Sequence, residues 1–393
     1  MGARGRVYYI SPNLMEEFRR CHGEDFMPSP GGNKIAGVSR ALTVAGVSSW
    51  TVSCPVVSSG VPRLYDPTIL RGNGYNSVYL LGIRNRWFNR PVAFFTYGWF
   101  CLRKVRTGDR VIFYNTTPEY VLGAAILRAR RIPGVLDIED AARRSRMGPR
   151  DLLVLLSFLL LRKLCSRRYV VAAEAIGRQL KGNPEYHVCR GVCEPSASPE
   201  RDFRRLTVLY GGAKTAEWGT GLFADAIRCL ARQPAALRER IRFIVTGSGD
   251  FSAIRQVSDE VAGLVDVGIA PDSSTAEYEG FLRVANVGLE LRMPGTEGAE
   301  TTFPSKILEL AGNGLLVVTT GTGDVPSVLD SDSAVFLREA SGAAVVDALV
   351  QVLAHPTKWA EVAANGAKLV ANDFSPPAVG QGLRDFLFGS VGE

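Results

Sequence analysis

Ser305, Lys306 and Glu309 are the residues whose types and spacing most plainly offer chemistry. They stand in the run Thr301-Thr302-Phe303-Pro304-Ser305-Lys306-Ile307-Leu308-Glu309, which ends at Gly312 and Gly314 before Leu315-Leu316-Val317-Val318. Pro304 sits where a first helical position wants it and the glycines where a stop wants them, so the spacing predicts a short helix leading into a buried strand. A hydroxyl, an ammonium and free N–H groups at a helix start suit a phosphate. Glu309, four residues after Ser305 and three after Lys306, shares their face and reaches polar groups beyond the phosphate. A plain capped amphipathic helix with one Lys–Glu pair fits the same spacing, and both readings stay open on these residues alone.

The elements that would position such a site follow a repeated rhythm. Val7 to Ile10 is a buried strand. Gly31-Gly32 and Asn33 then open a helix through Val38, Leu42 and Ala45 that ends at Gly46. Strand, glycine turn and helix make the first unit of a doubly wound sheet, and Gly32 and Asn33 are candidate anion contacts at its helix start. Trp50 to Val57 and Ser77 to Leu81 are further strands, with a patternless loop between them. Arg84 to Arg103 mixes aromatics with arginines; nucleic-acid stacking uses such residues, but the apolar spacing favours a helix packed on a sheet, and no nucleic acid is expected as a partner. Asp109 to Tyr114 is a strand and Pro118 to Arg128 a helix. Val135-Leu136 ends in Asp137-Ile138-Glu139-Asp140, carboxylates at the strand edge where open α/β sheets bind ligands, and Glu139 is the candidate of the set.

Arg190 to Arg204, with Gly191, Pro195 and Pro199, has the composition of a linker. After it the rhythm restarts: strand 206–209, glycine loop Gly211-Gly212-Ala213-Lys214, helix 222–230, then strand 242–245 closed by Gly247-Ser248-Gly249. Strand 284–291 opens into the loop 292–300 that precedes Thr301. A helical pattern from Ala360 to Phe388, broken by Pro376-Pro377, ends the chain. The expected division is 1–196, 197–372 and a tail 373–393 that crosses back to the first domain.

A chain of 393 residues, 46% hydrophobic and 22% charged, has the composition of a globular protein with two cores. Its net charge of +7 hides an asymmetry: residues 1–196 hold 29 Lys+Arg against 14 Asp+Glu, the rest 17 against 25. So basic a first half points to a partner with negative charge: a membrane surface, a lipid phosphate or an anionic acceptor. The apolar helix pattern within Arg143 to Arg168 can lie on an anionic membrane surface or serve as a core helix with wet basic ends. Seven scattered cysteines without a CxxC, and a start without a cleavage-site pattern, set the expectation of reduced thiols in a cytoplasmic protein.

Two alternating β/α halves with a linker and a helical tail resemble the GT-B architecture, an α/β fold of two Rossmann-like doubly wound domains facing a cleft. The second half is similar to the nucleotide-sugar domain of retaining family-four glycosyltransferases. The residues that carry the likeness are Tyr210-Gly-Gly, Gly219 to Ala226, Ile244 to Gly249, Tyr278 to Leu291 and Phe303-Pro-Ser-Lys-Ile-Leu-Glu309. The resemblance implies sugar transfer from a nucleotide diphosphate donor to a small-molecule, glycan or lipid-linked acceptor, with retention and with no metal or other cofactor. It implies that Glu309 binds the donor ribose and that the N–H groups around Thr302, Phe303, Pro304, Ser305 and Lys306 cradle the diphosphate. The family's second acid falls on Thr301, with Glu300 and Glu297 the neighbouring acids. Its basic pair falls on Ala213 and Trp218, with Lys214 the replacement, and its first-domain histidine falls on Glu139. Gly212 and Gly247 line the donor in this comparison. Two rivals share the architecture: an epimerase of nucleotide sugars and a catalytically silent sugar-nucleotide-binding module.

Overall fold

The structure is a computed structural model; it describes residues 5–23, 30–55, 63–72, 74–85, 87–139, 149–194, 201–296 and 298–389. Asp140 and Glu297, both named above, lie outside the described residues, as does 195–200 of the expected linker. The chain divides into one unit of Met1–Val192 with Pro376–Glu393 and a second of Cys193–Ser375, a few residues from the expected boundaries. Among the described residues no helix is long and apolar enough to cross a membrane.

The first unit opens with β1 (Val7–Ser11), α1 (Glu16–His22), α2 (Pro30–Val44), β2 (Ser49–Ser53), β3 (Arg63–Tyr65) and β4 (Thr68–Gly72). It continues with β5 (Tyr75–Tyr79), β6 (Gly82–Arg84), α3 (Asn89–Arg103), β7 (Arg110–Tyr114), α4 (Val121–Ala129) and β8 (Gly134–Ile138). Then come α5 (Pro149–Leu164), β9 (Arg168–Val171), α6 (Glu174–Gln179) and β10 (Glu185–Val188). Eight strands form one sheet in the order β10-β9-β8-β7-β1-β2-β5-β4, all parallel except β4, which pairs antiparallel to β5. Strands covered on both faces must be apolar throughout, and β1, β7 and β8 are buried along nearly their whole length. The stretch expected to be a patternless loop instead holds β3 and β4. Strand β4 is a half-exposed edge strand, so it shows no apolar run for a sequence to advertise. The aromatic run is also split more evenly than expected, with Tyr97 and Phe100 of α3 in the core and Trp87, Phe88, Phe95 and Trp99 exposed.

The second unit contains β11 (Leu206–Tyr210), α7 (Thr220–Ala231), α8 (Ala235–Arg238), β12 (Ile241–Gly247), α9 (Ser252–Glu260), β13 (Asp266–Pro271) and α10 (Thr275–Val284). It closes with β14 (Val287–Glu290), α11 (Lys306–Gly312), β15 (Leu316–Thr319), β16 (Val335–Phe336), α12 (Gly342–Ala354) and α13 (Pro356–Asp373). Its six parallel strands run β13-β12-β11-β14-β15-β16. The core packs Val208, Phe243, Val245, Val287, Leu316 and Val318 under Phe223, Ile227 and Leu230 of α7. Helix α10 begins with a complete capping box, the Ser274 hydroxyl accepting from the Glu277 N–H while the Glu277 carboxylate accepts from the Ser274 N–H.

The final helix, α14 (Pro376–Phe388), belongs to the first unit, where Leu383 and Leu387 join Val38 and Leu42 of α2. The two helices cross where Gly380 meets Ala41: a Cβ on Gly380 would stand 1.9 Å from the Ala41 carbonyl oxygen, so only glycine allows so close an approach.

Candidate functional site

Each sheet has a point where its strand order reverses, and in open α/β sheets ligands bind at the carboxyl ends of the strands there. In the second unit the reversal falls between β11 and β14, so the loops leaving those strands, 211–219 and 291–305, share one edge. The loop after β11 begins with Gly211 and Gly212, and the side chain of Lys306 lies over that turn: its Nζ stands 3.3 Å from where a Cβ on Gly211 would be, its Cε 3.6 Å from the same point on Gly212. With φ of +100° Gly212 is in the left-handed region.

Lys306 does not stand alone. Its ammonium lies 3.0 Å from the Tyr278 hydroxyl oxygen, 4.4 Å from the Tyr278 ring centre and 3.6 Å from Glu309 Oε2. Tyr278 donates its O–H to that same Oε2 at 2.8 Å. Burial and the adjacent Glu309 carboxylate hold the Tyr278 hydroxyl well above the usual phenol range, so it stays a donor. Lys306 and Glu309 are each about a third or more exposed at the side chain, so the cluster presents a cation and an acceptor to solvent from a fixed base.

Lys214, the expected replacement for the family's basic pair at the diphosphate, is turned inward and buried. It donates to the carbonyl oxygens of Gly212 at 2.8 Å and Thr246 at 2.7 Å, with the Tyr210 ring 4.3 Å from its Nζ. Burial, with the nearby Lys306 charge adding to it, lowers its pKa to about 7. Gly247, at φ +122°, passes under the same turn: a Cβ there would be 2.0 Å from the Gly212 carbonyl oxygen. Lys214 and Gly247 thus brace the Gly211–Gly212 turn from beneath.

In the stretch before α11, part of the expected cradle of N–H groups is already engaged. The helix starts at Lys306, two residues later than Pro304, and the Ser305 N–H donates to the Phe303 carbonyl oxygen at 2.9 Å. The N–H groups of Thr302 and Ile307 are likewise taken, by Gly298 and Pro304. Ser305 is exposed and makes no side-chain cap; Phe303 and Pro304 are buried. Thr301 is half-buried, and Glu300, the acid beside it, is exposed.

Sequence reasoning missed the residue that shapes this loop. Arg292 follows β14 and is among the most deeply buried side chains of the chain. Its guanidinium pairs with Glu217, donates to the Thr302 hydroxyl and lies 4.4 Å from the Trp218 ring centre. The loop after β11 is thereby tied to the loop after β14. Arg292 two residues after Glu290, at the end of a strand that is otherwise apolar, was the available signal, since charges buried at that edge need partners. Tyr278 was missed for a different reason: its role depends on α10 delivering it across to α11.

In the first unit the order reverses between β1 and β7. Gly32, buried, and Asn33, exposed, stand in the first turn of α2, and the next residue, Lys34, reaches Asp137 Oδ1 at 3.2 Å and Glu139 Oε2 at 3.6 Å. Tyr9 donates its hydroxyl to the other Asp137 oxygen. Burial opposes the Lys34 charge, but the two carboxylates outweigh it and hold its pKa above the ordinary value; burial raises that of Asp137. The Glu139 N–H is held by Asn115 Oδ1 at 2.9 Å. Lys306, Glu309, Gly212, Lys214 and Gly247 therefore gather at one edge of the second unit, and Gly32, Asn33 and Glu139 at one edge of the first.

Comparison with known proteins gives one family match: residues 227–381 fit the family described as Glycosyl transferase-like. No curated protein matches the chain by sequence. Among solved structures, sucrose-phosphate synthase of Thermosynechococcus elongatus aligns with a TM-score of 0.67 at 13% identity, covering 97% of this chain and 98% of that one. A TarM mutant of S. aureus, in complex with fondaparinux, α-GlcNAc-glycerol and UDP, aligns at 0.67 and 7% identity over 98% and 100%. A structure described as trehalose-6-phosphate from E. coli bound with UDP-2-fluoro glucose aligns at 0.64 and 9% over 98% and 100%. The fold is GT-B. The family matched over residues 227–381 gives the enzyme class, a glycosyltransferase.

Proposed function

We propose that the chain transfers a sugar from a nucleoside diphosphate sugar, bound by the second unit, to an acceptor held by the first. The observation that carries this reading is the Lys306–Tyr278–Glu309 cluster laid over the Gly211–Gly212 turn at the reversal point of the second sheet. Lys306 supplies a cation and the glycine turn a surface without side chains, which together fit a diphosphate. Glu309, already accepting from Tyr278, has capacity left for the paired hydroxyls of a ribose. Lys214 sits beneath the turn rather than on it, and takes up a proton when the turn receives negative charge. UDP and a UDP-sugar analogue in the two similar structures named above support a uridine nucleotide as the donor to try first.

The reaction breaks the bond between the anomeric carbon and the diphosphate oxygen and forms one to an acceptor oxygen on the same face, with retention. The departing phosphate oxygen takes the acceptor's proton, and Lys306 stabilises the charge that develops on the leaving group. The cations of the site serve the leaving group without a metal ion. Gly32, Asn33 and Glu139 face the acceptor in this proposal.

Incubation with UDP-, GDP- and ADP-sugars, with and without pooled acceptors, and mass spectrometry of the products test the reading. It expects release of one nucleoside diphosphate that rises with acceptor and a product heavier than the acceptor by one sugar. An isomerised nucleotide sugar without acceptor, or no turnover by a chain that binds the nucleotide, contradicts it.

A further inference from the structure

Helix α5 has two roles open to it from its sequence, a core helix with wet basic ends or a helix on an anionic surface, and its exposure separates them. From Leu152 to Leu161 it holds one polar residue, Ser157. On a helix that borders water, that residue belongs on the outer face. Ser157 is instead 3% exposed, and its hydroxyl donates to the Leu153 carbonyl oxygen at 2.7 Å. The outer stripe is apolar. Leu152, Leu156, Leu159 and Leu160, at i, i+4, i+7 and i+8, are each 46–49% exposed, and Lys163 at i+11 ends the stripe. A core helix would have these leucines covered.

The neighbouring helices extend this face. Helices α3, α4 and α5 lead into the parallel strands β7, β8 and β9, and α4 packs against both of the others, so the three form one layer. Helices α3 and α4 approach closely because Gly98 leaves room for Leu122: a Cβ at 98 would stand 2.5 Å from it. Helix α4 has no polar residue before Arg128, and its half-buried Leu122, Ala125 and Ile126 are apolar. On α3 the exposed stripe is Phe95, Trp99 and Leu102, at i, i+4 and i+7 and each more than half exposed. Glu119, just before α4, is buried and pairs with Arg90 of α3 at 3.1 Å. A contiguous apolar face of this kind marks a docking surface.

Positive charge gathers along one edge of the layer. Just past α4, the Arg130 guanidinium donates to the carbonyl oxygens of Cys101 and Leu102 at 2.6 and 3.1 Å, so the C-terminal ends of α3 and α4 lie side by side. From the last turn of each helix to the strand it feeds, residues 100–109, 126–133 and 161–167 hold nine Lys or Arg and one acid, Asp109. Asp109 is buried and accepts from the N–H groups of Arg6 and Arg106 at 2.8 and 2.7 Å. Arg103, Lys104, Arg128 and Lys163 are exposed. One cation at a helix end answers the helix dipole, but nine against a single engaged acid exceed what three helix ends use.

We propose that the layer of α3, α4 and α5 lies on an anionic lipid surface. The exposed leucines, Phe95 and Trp99 enter the boundary between headgroups and acyl chains, and the cationic edge meets the headgroup phosphates. An indole suits that boundary, being an apolar ring with one N–H donor. At 16 residues α5 is shorter than a bilayer span, so it lies on the surface and does not cross it. Charge complementarity selects this occupant: a second copy of the chain brings the same cationic edge and gains nothing from it, whereas lipid phosphates do. The inference stands apart from the proposed sugar transfer, and neither depends on the other.

Sedimentation of the intact chain with vesicles of three parts phosphatidylcholine to one of phosphatidylglycerol tests it, beside vesicles of phosphatidylcholine alone and a velocity run without lipid. At least tenfold more chain is expected on the anionic vesicles than on the neutral ones, with binding weakened as salt rises from about 0.1 M to about 0.5 M. Leu156→Glu with Leu160→Glu is expected to lose at least tenfold in binding, and Arg103→Glu with Lys163→Glu, made separately, to lose as much. Ile69→Glu, at an exposed apolar position on β4 outside the layer, is expected to bind as the parent does. Far-UV dichroism and a cooperative melt like the parent's establish that each variant is folded, and the charge variant carries the test should the leucine variant not fold. A parent that ignores anionic vesicles, equal binding by parent and folded layer variants, an equal loss in Ile69→Glu, or a parent dimer that the leucine variant dissolves would each overturn the proposal.

Discussion

Two lysines share one glycine turn, and their environments give them different tasks. Lys306, on the open side, keeps its ammonium beside Tyr278 and Glu309. Lys214, beneath, is buried, and its pKa falls from the ordinary 10.5 to about 7. Its two carbonyl acceptors favour the charged form, so burial is the stronger effect. The sign of the stability effect follows: between about 7 and 10.5 the unfolded chain holds this proton and the folded chain does not, so unfolding takes up a proton and stability rises with pH. Below pH 7 both forms hold the proton, so the slope vanishes while the destabilisation from the buried charge is fully present. Urea unfolding of the parent across pH 7 to 10 is expected to show this rise, on the order of a few kcal/mol at most, and Lys214→Met to flatten it. A slope unchanged by the substitution would remove Lys214 as its source.

At the scale of elements, α2 ties the first sheet to its candidate site through Lys34. This lysine crosses from the first turn of α2 to Asp137 and Glu139 at the end of β8, and Asp137 is wholly buried. Removing one partner of a buried pair leaves an uncompensated charge and costs about 3–5 kcal/mol. Lys34→Ala is expected to lose that much in urea unfolding at pH 7. The deficit should shrink as pH falls, because an unpaired Asp137 is more easily kept as the neutral acid when folded. Lys34→Met with Asp137→Asn should recover much of it. Much of this architecture was legible in the sequence: buried parallel strands are continuous apolar runs, so β1, β7, β11 and β15 were visible, as were the glycine turns. Strands β4 and β13 were not, because half-exposed edge strands carry no such run. The site was legible where one residue type implies one chemistry, as for Lys306 and Glu309. It was illegible where the role depends on burial: Lys214 was expected to stand in for the family's basic pair at the diphosphate, and Arg292 and Tyr278 gained their roles only when separate loops and helices met.

At the scale of the molecule, the chain builds one unit from its first half and its last helix. Helix α14 rests on α2 through Gly380, Leu383 and Leu387. A methyl group at 380 cannot fit against the Ala41 carbonyl, so Gly380→Ala should cost roughly 1–3 kcal/mol by overpacking. Calorimetry is expected to show the loss in the transition of the first unit, with the transition that a nucleoside diphosphate raises left in place. The second unit's claim to the donor is central to the whole account. Its most direct test is titration of UDP, and of UMP as the control lacking the second phosphate, into the parent and into Lys306→Ala. The account predicts that the parent binds UDP more tightly than UMP and that Lys306→Ala loses at least tenfold in UDP affinity while changing little for UMP. Equal UDP binding by the parent and Lys306→Ala would contradict it.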